Sequence, residues 1–171
     1  MKSVLRRIRT FNRLAIALML ASTCFSVGCV GHPSDQSLED RFRSNEANFE
    51  ELLQMLNEDS DVARISNEFA FLNSGADPRL SKERLEKYRE LFKVLGLGGG
   101  VHRQDKNTVR FIASTNDNVF LGNSEKLYLH SEIAPAPLVD SLDEFIKTNA
   151  GKEVRGFKKL SGNWYLAYES W

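Results

Sequence analysis

The stretch SKERLEKYRELFKVLGLGGGVHRQDKNTVRFIAS, residues 81–114, decides the fold because its apolar spacing changes once. In its first half, apolar residues recur every three or four positions, which predicts a helix with one buried face. Ser81 is the expected N-cap, and Gly96 is the left-handed residue expected to end the helix. Beyond Gly100, apolar and polar residues alternate, as in half-buried strands. A helix followed by strands in this pattern predicts an α+β fold.

The alternating part of the sequence predicts a series of antiparallel strands. Val101–Gln104 and Thr108–Ser114 flank a polar turn and form a predicted β-hairpin. A second turn is expected at Thr115–Asn118, leading to the short apolar run Val119–Leu121. Lys126–Ser131 then forms a further strand, in which Tyr128 and His130 share a face.

Helices are predicted on both sides of these strands. Ser37 opens a helix that ends near Asn57, and Asn45 interrupts its apolar stripe. The segment Arg64–Leu72 fits a helix or a strand, and the strand is favoured. Leu138–Thr148 is predicted as a third helix, following two prolines.

Two last strands, Glu153–Lys159 and Trp164–Glu169, complete the pattern. The predicted fold class is α+β, with two or three helices packed on a mainly antiparallel sheet of about five strands. Residues 37–171 are expected to form this single globular domain, and residues 29–36 a tether before it.

The N-terminal segment has the composition of a bacterial signal peptide over residues 1–28. Met1–Arg13 is basic and Leu14–Ala21 is apolar. The apolar run is shorter than the ~20 residues that cross a membrane, so a cleaved leader is favoured over an uncleaved signal anchor. Without the leader, the chain has 18 basic and 23 acidic residues, a net charge of −5. This charge argues against a bulk nucleic-acid or anionic-membrane partner.

The leader ends in Ser26-Val27-Gly28-Cys29, which resembles the lipobox of bacterial lipoproteins, with Ser26 at a position where leucine is usual. The resemblance implies cleavage between Gly28 and Cys29, and diacylglycerol and an acyl chain such as palmitate on the cysteine. Val30 after the cysteine resembles lipoproteins sorted to an outer membrane, facing the periplasm. A free periplasmic or secreted protein is the alternative.

A series of short segments covers most of the sequence after the leader: Arg84-Leu85, Tyr88-Arg89, Leu91-Phe92, Leu95-Gly96-Leu97, Val109, Phe111-Ile112-Ala113-Ser114-Thr115, Pro137-Leu138-Val139-Asp140-Ser141-Leu142 and Trp164-Tyr165-Leu166. In these segments the chain resembles a group of small bacterial exported proteins of unknown function, many of which carry a lipoprotein leader. Those proteins have Lys-Gly-Tyr where this chain has Lys126-Leu127-Tyr128. The resemblance implies an envelope address and an α+β fold, and it implies no activity.

Motifs of known chemistry are missing from the sequence. The glycine run Gly96–Gly100 follows a helix, whereas a phosphate-binding loop follows a strand, so the run is interpreted as a helix end and turn. There is no His-Glu-x-x-His zinc motif and no Gly-x-Ser-x-Gly nucleophile elbow. No cofactor and no metal are therefore expected, and the catalytic residues, if any, are unknown.

Two sets of side chains remain as candidate contact sites. The predicted strands carry polar residues that could bind an acidic or hydroxyl-bearing ligand if Arg110 and Tyr128 share a face. This candidate ligand face consists of His102, Arg103, Arg110, Tyr128 and His130. The second set is aromatic and consists of Trp164, Tyr165 and Trp171, of which Trp171 is expected to be the most exposed.

These features predict a non-enzymatic binding or interaction module of the cell envelope. Its expected contacts are the membrane, through the N-terminal lipid, and an envelope protein or the cell wall. The alternative is a small periplasmic hydrolase or ligand-binding enzyme that uses the polar sheet face around His130. An enzyme should enclose those groups in a cleft, whereas an interaction module should present them on a flat surface.

Overall fold

The computed structural model describes residues 31–72, 80–118 and 122–171. The predicted signal peptide, Cys29 and the run Val119–Leu121 lie outside the described residues. The described helices are α1 (Asp35–Ser44), α2 (Glu46–Glu58), α3 (Lys82–Leu95) and α4 (Leu142–Thr148). The described strands are β1 (Val62–Ile65), β2 (Ala70–Leu72), β3 (Gly100–Asp105), β4 (Thr108–Asn118), β5 (Gly122–Ser131), β6 (Arg155–Lys159) and β7 (Trp164–Ser170).

The strands form one sheet in the order β2-β1-β3-β4-β5-β7-β6, and every neighbouring pair is antiparallel. This confirms the predicted α+β class and the antiparallel sheet. The predicted counts are too low, since the described residues hold four helices and seven strands. The ambiguous segment Arg64–Leu72 accounts for part of the difference, because it belongs to two short strands joined by a turn at Ser66–Phe69.

The first predicted helix is two helices with a different start. Ser34, not Ser37, is the N-cap, and its side chain accepts the backbone N–H of Ser37. Both serines satisfy the sequence pattern, but with the earlier cap the helix includes three further residues, Asp35, Gln36 and Ser37. Asn45 ends α1 and precedes α2, so the polar residue that interrupts the apolar stripe is where the helix breaks.

The helix α3 has the predicted ends. The Ser81 hydroxyl accepts the backbone N–H of Arg84 at 3.1 Å, and Gly96 has a φ of +62°. The N–H of Leu97 then donates to the carbonyl of Phe92 at 2.8 Å. The glycine run is therefore a helix end followed by the first residue of β3, as predicted, and not a phosphate loop.

The hairpin of β4 and β5 is longer than predicted. Residues 115–118 were expected to turn, but they continue β4, and Thr115 pairs with Glu125 while Asp117 pairs with Asn123. Correspondingly, β5 starts at Gly122 rather than at Lys126. The polar side chains in this part of the hairpin are typical of a turn, but backbone pairing continues through them.

The last predicted helix starts four residues too early. Ser141 is the N-cap of α4, and its side chain accepts the N–H of Glu144. The preceding residues are extended, because the N–H of Phe157 donates to Pro137 and the N–H of Val139 donates to Phe157. Leu138, predicted as the first inward residue of that helix, is 55% exposed. This segment covers the backbone edge of β6, which would otherwise be unpaired.

The helices pack against one face of the sheet, which we call the helix face. Four paired residues form a row on this face, and all of them are fully buried: Val101, Phe111, Tyr128 and Leu166. Phe49 of α2 contacts this row, with its ring centroid 4.6 Å from that of Tyr128. The other face carries a smaller apolar cluster of Leu127, Leu129, Phe157, Tyr165 and Ala167.

The glycine at the start of β3 gives a prediction about stability. Gly100 has a φ of +73°, and a Cβ atom there would collide with the carbonyl oxygen of Ile65 and lie 2.7 Å from the Cα of Ser66. Gly151 has a similar φ of +75°, but a Cβ atom there would meet nothing within 4 Å. We expect Gly100→Ala to lower the free energy of unfolding by about 2 kcal/mol more than Gly151→Ala does. Urea unfolding of the two variants measures the difference, and equal losses would contradict the packing at Ile65.

Candidate functional site

The register of the sheet separates the residues of the predicted ligand face. Tyr128 pairs with Phe111 on the helix face, whereas Arg110 pairs with Leu129 and with His102 on the opposite face. The ligand face required Arg110 and Tyr128 to share one face of the sheet, so the prediction of this ligand face is wrong. Side chains alternate along each strand, so only the pairing of β4 with β5 decides whether Arg110 and Tyr128 meet.

Three of those residues lie on the helix face and are used in packing. Tyr128 is 0% exposed, and its hydroxyl donates to the carbonyl of Leu38 at 3.1 Å. Burial raises the pKa of this phenol well above its ordinary value. Arg103 donates to the carbonyl of Leu56, and the His130 ring packs edge-on against Trp164 at 5.0 Å.

The opposite face carries an ionic network, and we call it the charged face (His102, Arg110, Glu125 and Glu169). Arg110 Nη2 lies 2.8 Å from Glu125 and 2.9 Å from Glu169. Burial, followed by the charges of Arg110 and Arg64, lowers the pKa of His102. Burial also raises the pKa of Glu125. The guanidinium of Arg110 is thus already paired with two carboxylates of its own chain.

The aromatic candidates differ in exposure. Trp164 is 3% and Tyr165 is 4% exposed, and they point to opposite faces of β7. The indole N–H of Trp164 donates to Glu50 at 2.7 Å, which satisfies its one polar atom. Trp171 is 52% exposed, as expected for the ring available for contact.

The most unusual polar arrangement lies on the helix face around Lys126. This lysine is 0% exposed, and its Nζ atom lies 2.7 Å from Asp35 Oδ1 and 2.6 Å from Asp143 Oδ1. It occupies an inward position because it alternates in step with Tyr128 along β5. We call His32, Asp35, Lys126 and Asp143 the docking cluster.

The two carboxylates of the docking cluster join two helix N-termini. Asp35 is the first residue of α1, and its Oδ2 atom accepts the N–H of Leu142, the first residue of α4, at 2.7 Å. In return, Asp143 Oδ2 accepts the N–H of Asp35 at 2.9 Å. Negative charge is favoured at both positions by the peptide dipoles of the helices.

Lys126 also determines the ionisation of Asp35. Burial alone would raise the pKa of Asp35, but the hydrogen bond and charge of Lys126, with smaller effects of Leu142 and Lys158, hold it below its ordinary value. Lys158 lies 3.6 Å from Asp35 and also pairs with Glu39 of α1. The cluster is therefore a set of alternating charges that neutralise one another.

His32 connects the start of the folded chain to this cluster. Its Nδ1 atom lies 2.7 Å from the Ser114 hydroxyl and its Nε2 atom 2.8 Å from the Ser124 hydroxyl. The ring packs edge-on against Tyr168. Burial, followed by the charge of Lys126, lowers the pKa of His32, so the neutral ring is favoured.

Sequence reasoning assigned residues 29–36 to a tether and missed this site. The compact unit that contains the sheet begins at His32, so residues 32–36 belong to the fold. The available signal was Lys126 itself, since a lysine that alternates with buried residues needs carboxylate partners. Those partners lie 17 and 91 residues away in sequence, so their identity could not be read from local spacing.

The contacts of the docking cluster hold α1, α4 and β5 together and indicate a structural role. The amine of Lys126 is 0% exposed and enclosed between two carboxylates of its own chain, so a substrate cannot approach it. In the described ranges, no group of three or more His, Cys, Asp or Glu side chains is placed to hold a metal ion. Within those ranges, too, none of the helices has the length and apolarity required to cross a membrane.

Comparison of the chain with protein-family models finds no match, and comparison with curated proteins and with solved structures finds none either. The site is therefore interpreted from its own geometry.

The docking cluster predicts a large effect of removing its cation. Lys126→Met leaves Asp35 and Asp143 without their buried partner, and we expect the free energy of unfolding to fall by about 3–5 kcal/mol. Lys147→Met is the matched control, because Lys147 pairs with Glu144 on the surface of α4, where both side chains are about 70% exposed. The control should leave the urea midpoint nearly unchanged. Similar midpoints for the two variants would show that the buried pairs are not required.

The lowered pKa of His32 predicts that the stability of the fold depends on pH. Its folded pKa is depressed, so the unfolded chain binds the proton more readily, and stability is lost as the pH falls below the unfolded value of about 6.5. We expect the urea midpoint of the natural sequence to decline between about pH 7 and pH 5, and His32→Gln to reduce that decline. The pKa values of His102 and His130 are lowered as well, so we expect these two residues to cause the part of the decline that remains in His32→Gln. An unchanged pH profile in His32→Gln would contradict the buried, neutral ring.

Proposed function

We propose that this protein is an exported, lipid-anchored module of the cell envelope that acts by binding another envelope component, either a protein or the cell wall. The observation that carries the proposal is the docking cluster, which fixes the chain to the sheet from His32 onward. Cys29, the proposed lipid attachment site, precedes His32 by only three residues. A folded domain would thus begin almost directly at its anchor.

The leader supports the proposed address. Residues 1–28 combine a basic start, a short apolar run and a lipobox-like end, and the chain has only one further cysteine, Cys24, inside that leader. With both cysteines in or next to the leader, no disulfide can form within residues 30–171. A thioether-linked diacylglycerol plus an amide-linked acyl chain would give stable membrane attachment.

The geometry favours binding over the hydrolase alternative. That alternative requires Arg110, Tyr128 and His130 to surround one ligand, and the sheet places Arg110 on the face opposite the other two. Tyr128 is fully buried, and Arg110 is paired with two carboxylates. A catalytic cleft would instead bring such groups together around a space open to substrate.

The proposed anchor is tested by the mass of the N-terminal peptide of protein recovered from membranes. We expect the peptide to begin at Cys29 and to carry acyl mass, and we expect Cys29→Ser to remove that mass and release the protein from the membrane fraction. Cys24→Ser is the matched control, because Cys24 lies in the part that is removed. An unmodified peptide with a different first residue would contradict the lipid anchor.

The proposed binding role is tested by crosslinking in intact cells. The natural protein should yield a defined crosslinked species that is lost in Cys29→Ser, because a released domain no longer meets its envelope partner at high local concentration. A defined species that forms equally in both would place the partner in solution rather than at the membrane.

A further inference from the structure

The connection between the proposed anchor and the fold is short. From Cys29 to His32 the chain can span at most ~11 Å even when fully extended. His32 itself is held at both ring nitrogens by Ser114 and Ser124. If Cys29 carries lipid, the part of the sheet around His32 therefore stays within about 11 Å of the lipidated residue.

Trp171 lies at the same end of the sheet. Ser124, which holds His32, pairs with Ser170, and the next residues, Asn123 and Trp171, exchange two backbone hydrogen bonds of 2.9 and 3.0 Å. The Trp171 side chain is 52% exposed. We call His32, Asn123 and Trp171 the anchor end of the domain. Trp164 lies seven residues earlier on β7, about 24 Å away along the strand.

We propose that the anchor end rests on the bilayer surface, with the Trp171 ring in the headgroup region. This inference rests on the proposed lipid anchor at Cys29. Indole rings favour the membrane–water interface because they combine an apolar body with an N–H donor. Trp171 is half exposed and lies at the end of the sheet that the short segment of residues 29–32 keeps near the lipid, so its ring can contact this interface. The domain is thus held in one orientation and does not swing on a long tether.

Electrostatic attraction does not bring the anchor end to the bilayer. Residues 29–171 have a net charge of −5, which opposes attraction to anionic lipid. The short covalent connection is what brings the anchor end to the bilayer. The contact should therefore form on zwitterionic lipid and should change little with salt.

The experiment uses the full lipidated protein in phosphatidylcholine vesicles, with and without lipid brominated on its acyl chains, which quenches nearby tryptophan. The chain has two tryptophans, so Trp171→Phe reports Trp164 alone, and the difference from the natural protein reports Trp171. We expect brominated lipid to cause a loss of Trp171 emission and no loss of Trp164 emission. Trp164 is 3% exposed and serves as the internal reference.

A matched control inserts ten Gly/Ser residues between Gly31 and His32. Such a linker has a root-mean-square span of ~17 Å, which lets the domain leave the surface, so the loss of Trp171 emission should disappear. Acyl mass is measured on every sample. Acylated protein without Trp171 quenching would overturn the orientation and leave the anchor intact. Quenching that persists with the linker would also overturn it, because Trp171 would then bind lipid unaided. Absence of acyl mass would overturn the proposed function itself, and this inference with it.

Discussion

The pairing of Lys126 with Asp35 and Asp143 is the constraint on which the placement of the N-terminal helices depends. A fully buried ammonium is tolerated only when carboxylates neutralise it, so the lysine requires both partners to stay in place. Each partner is at the N-terminal end of a helix, and each accepts a backbone N–H from the other's segment. One cation on β5 thus holds the N-terminal ends of α1 and α4 together, and Ser114 and Ser124 hold His32 beside them.

Much of the fold is predictable because it depends on near neighbours in sequence. The ends of α3 follow from Ser81 and Gly96, and the β3–β4 hairpin follows from the change of apolar period. The errors occur where two local patterns compete. Ser34 and Ser37 are both acceptable caps, and a polar run such as residues 115–118 serves equally as a turn or as the outer part of a long hairpin.

The candidate site is less predictable because it depends on pairing between distant segments. The faces of Arg110 and Tyr128 are set by the β4–β5 register, which includes an irregularity between Ile112 and Ser114 that no local pattern specifies. The docking cluster likewise joins Asp35 to Leu142, 107 residues apart. The sequence marks Lys126 as unusual for an inward position, but it does not say which carboxylates meet it. Charge on a strand is also typical of an exposed face, so the residue type alone does not show that Lys126 is buried.

The strand order has a consequence for the order in which the chain can fold. β7, the last strand in sequence, lies inside the sheet between β5 and β6, and β6 reaches the sheet only through it. A growing chain that stops before Trp164 therefore has one side of β5 unpaired, and Leu166 and Trp164 are missing from the core. The complete sheet therefore forms only once β7 is present, since β5 and β7 pair residues that lie 34 to 46 positions apart in sequence.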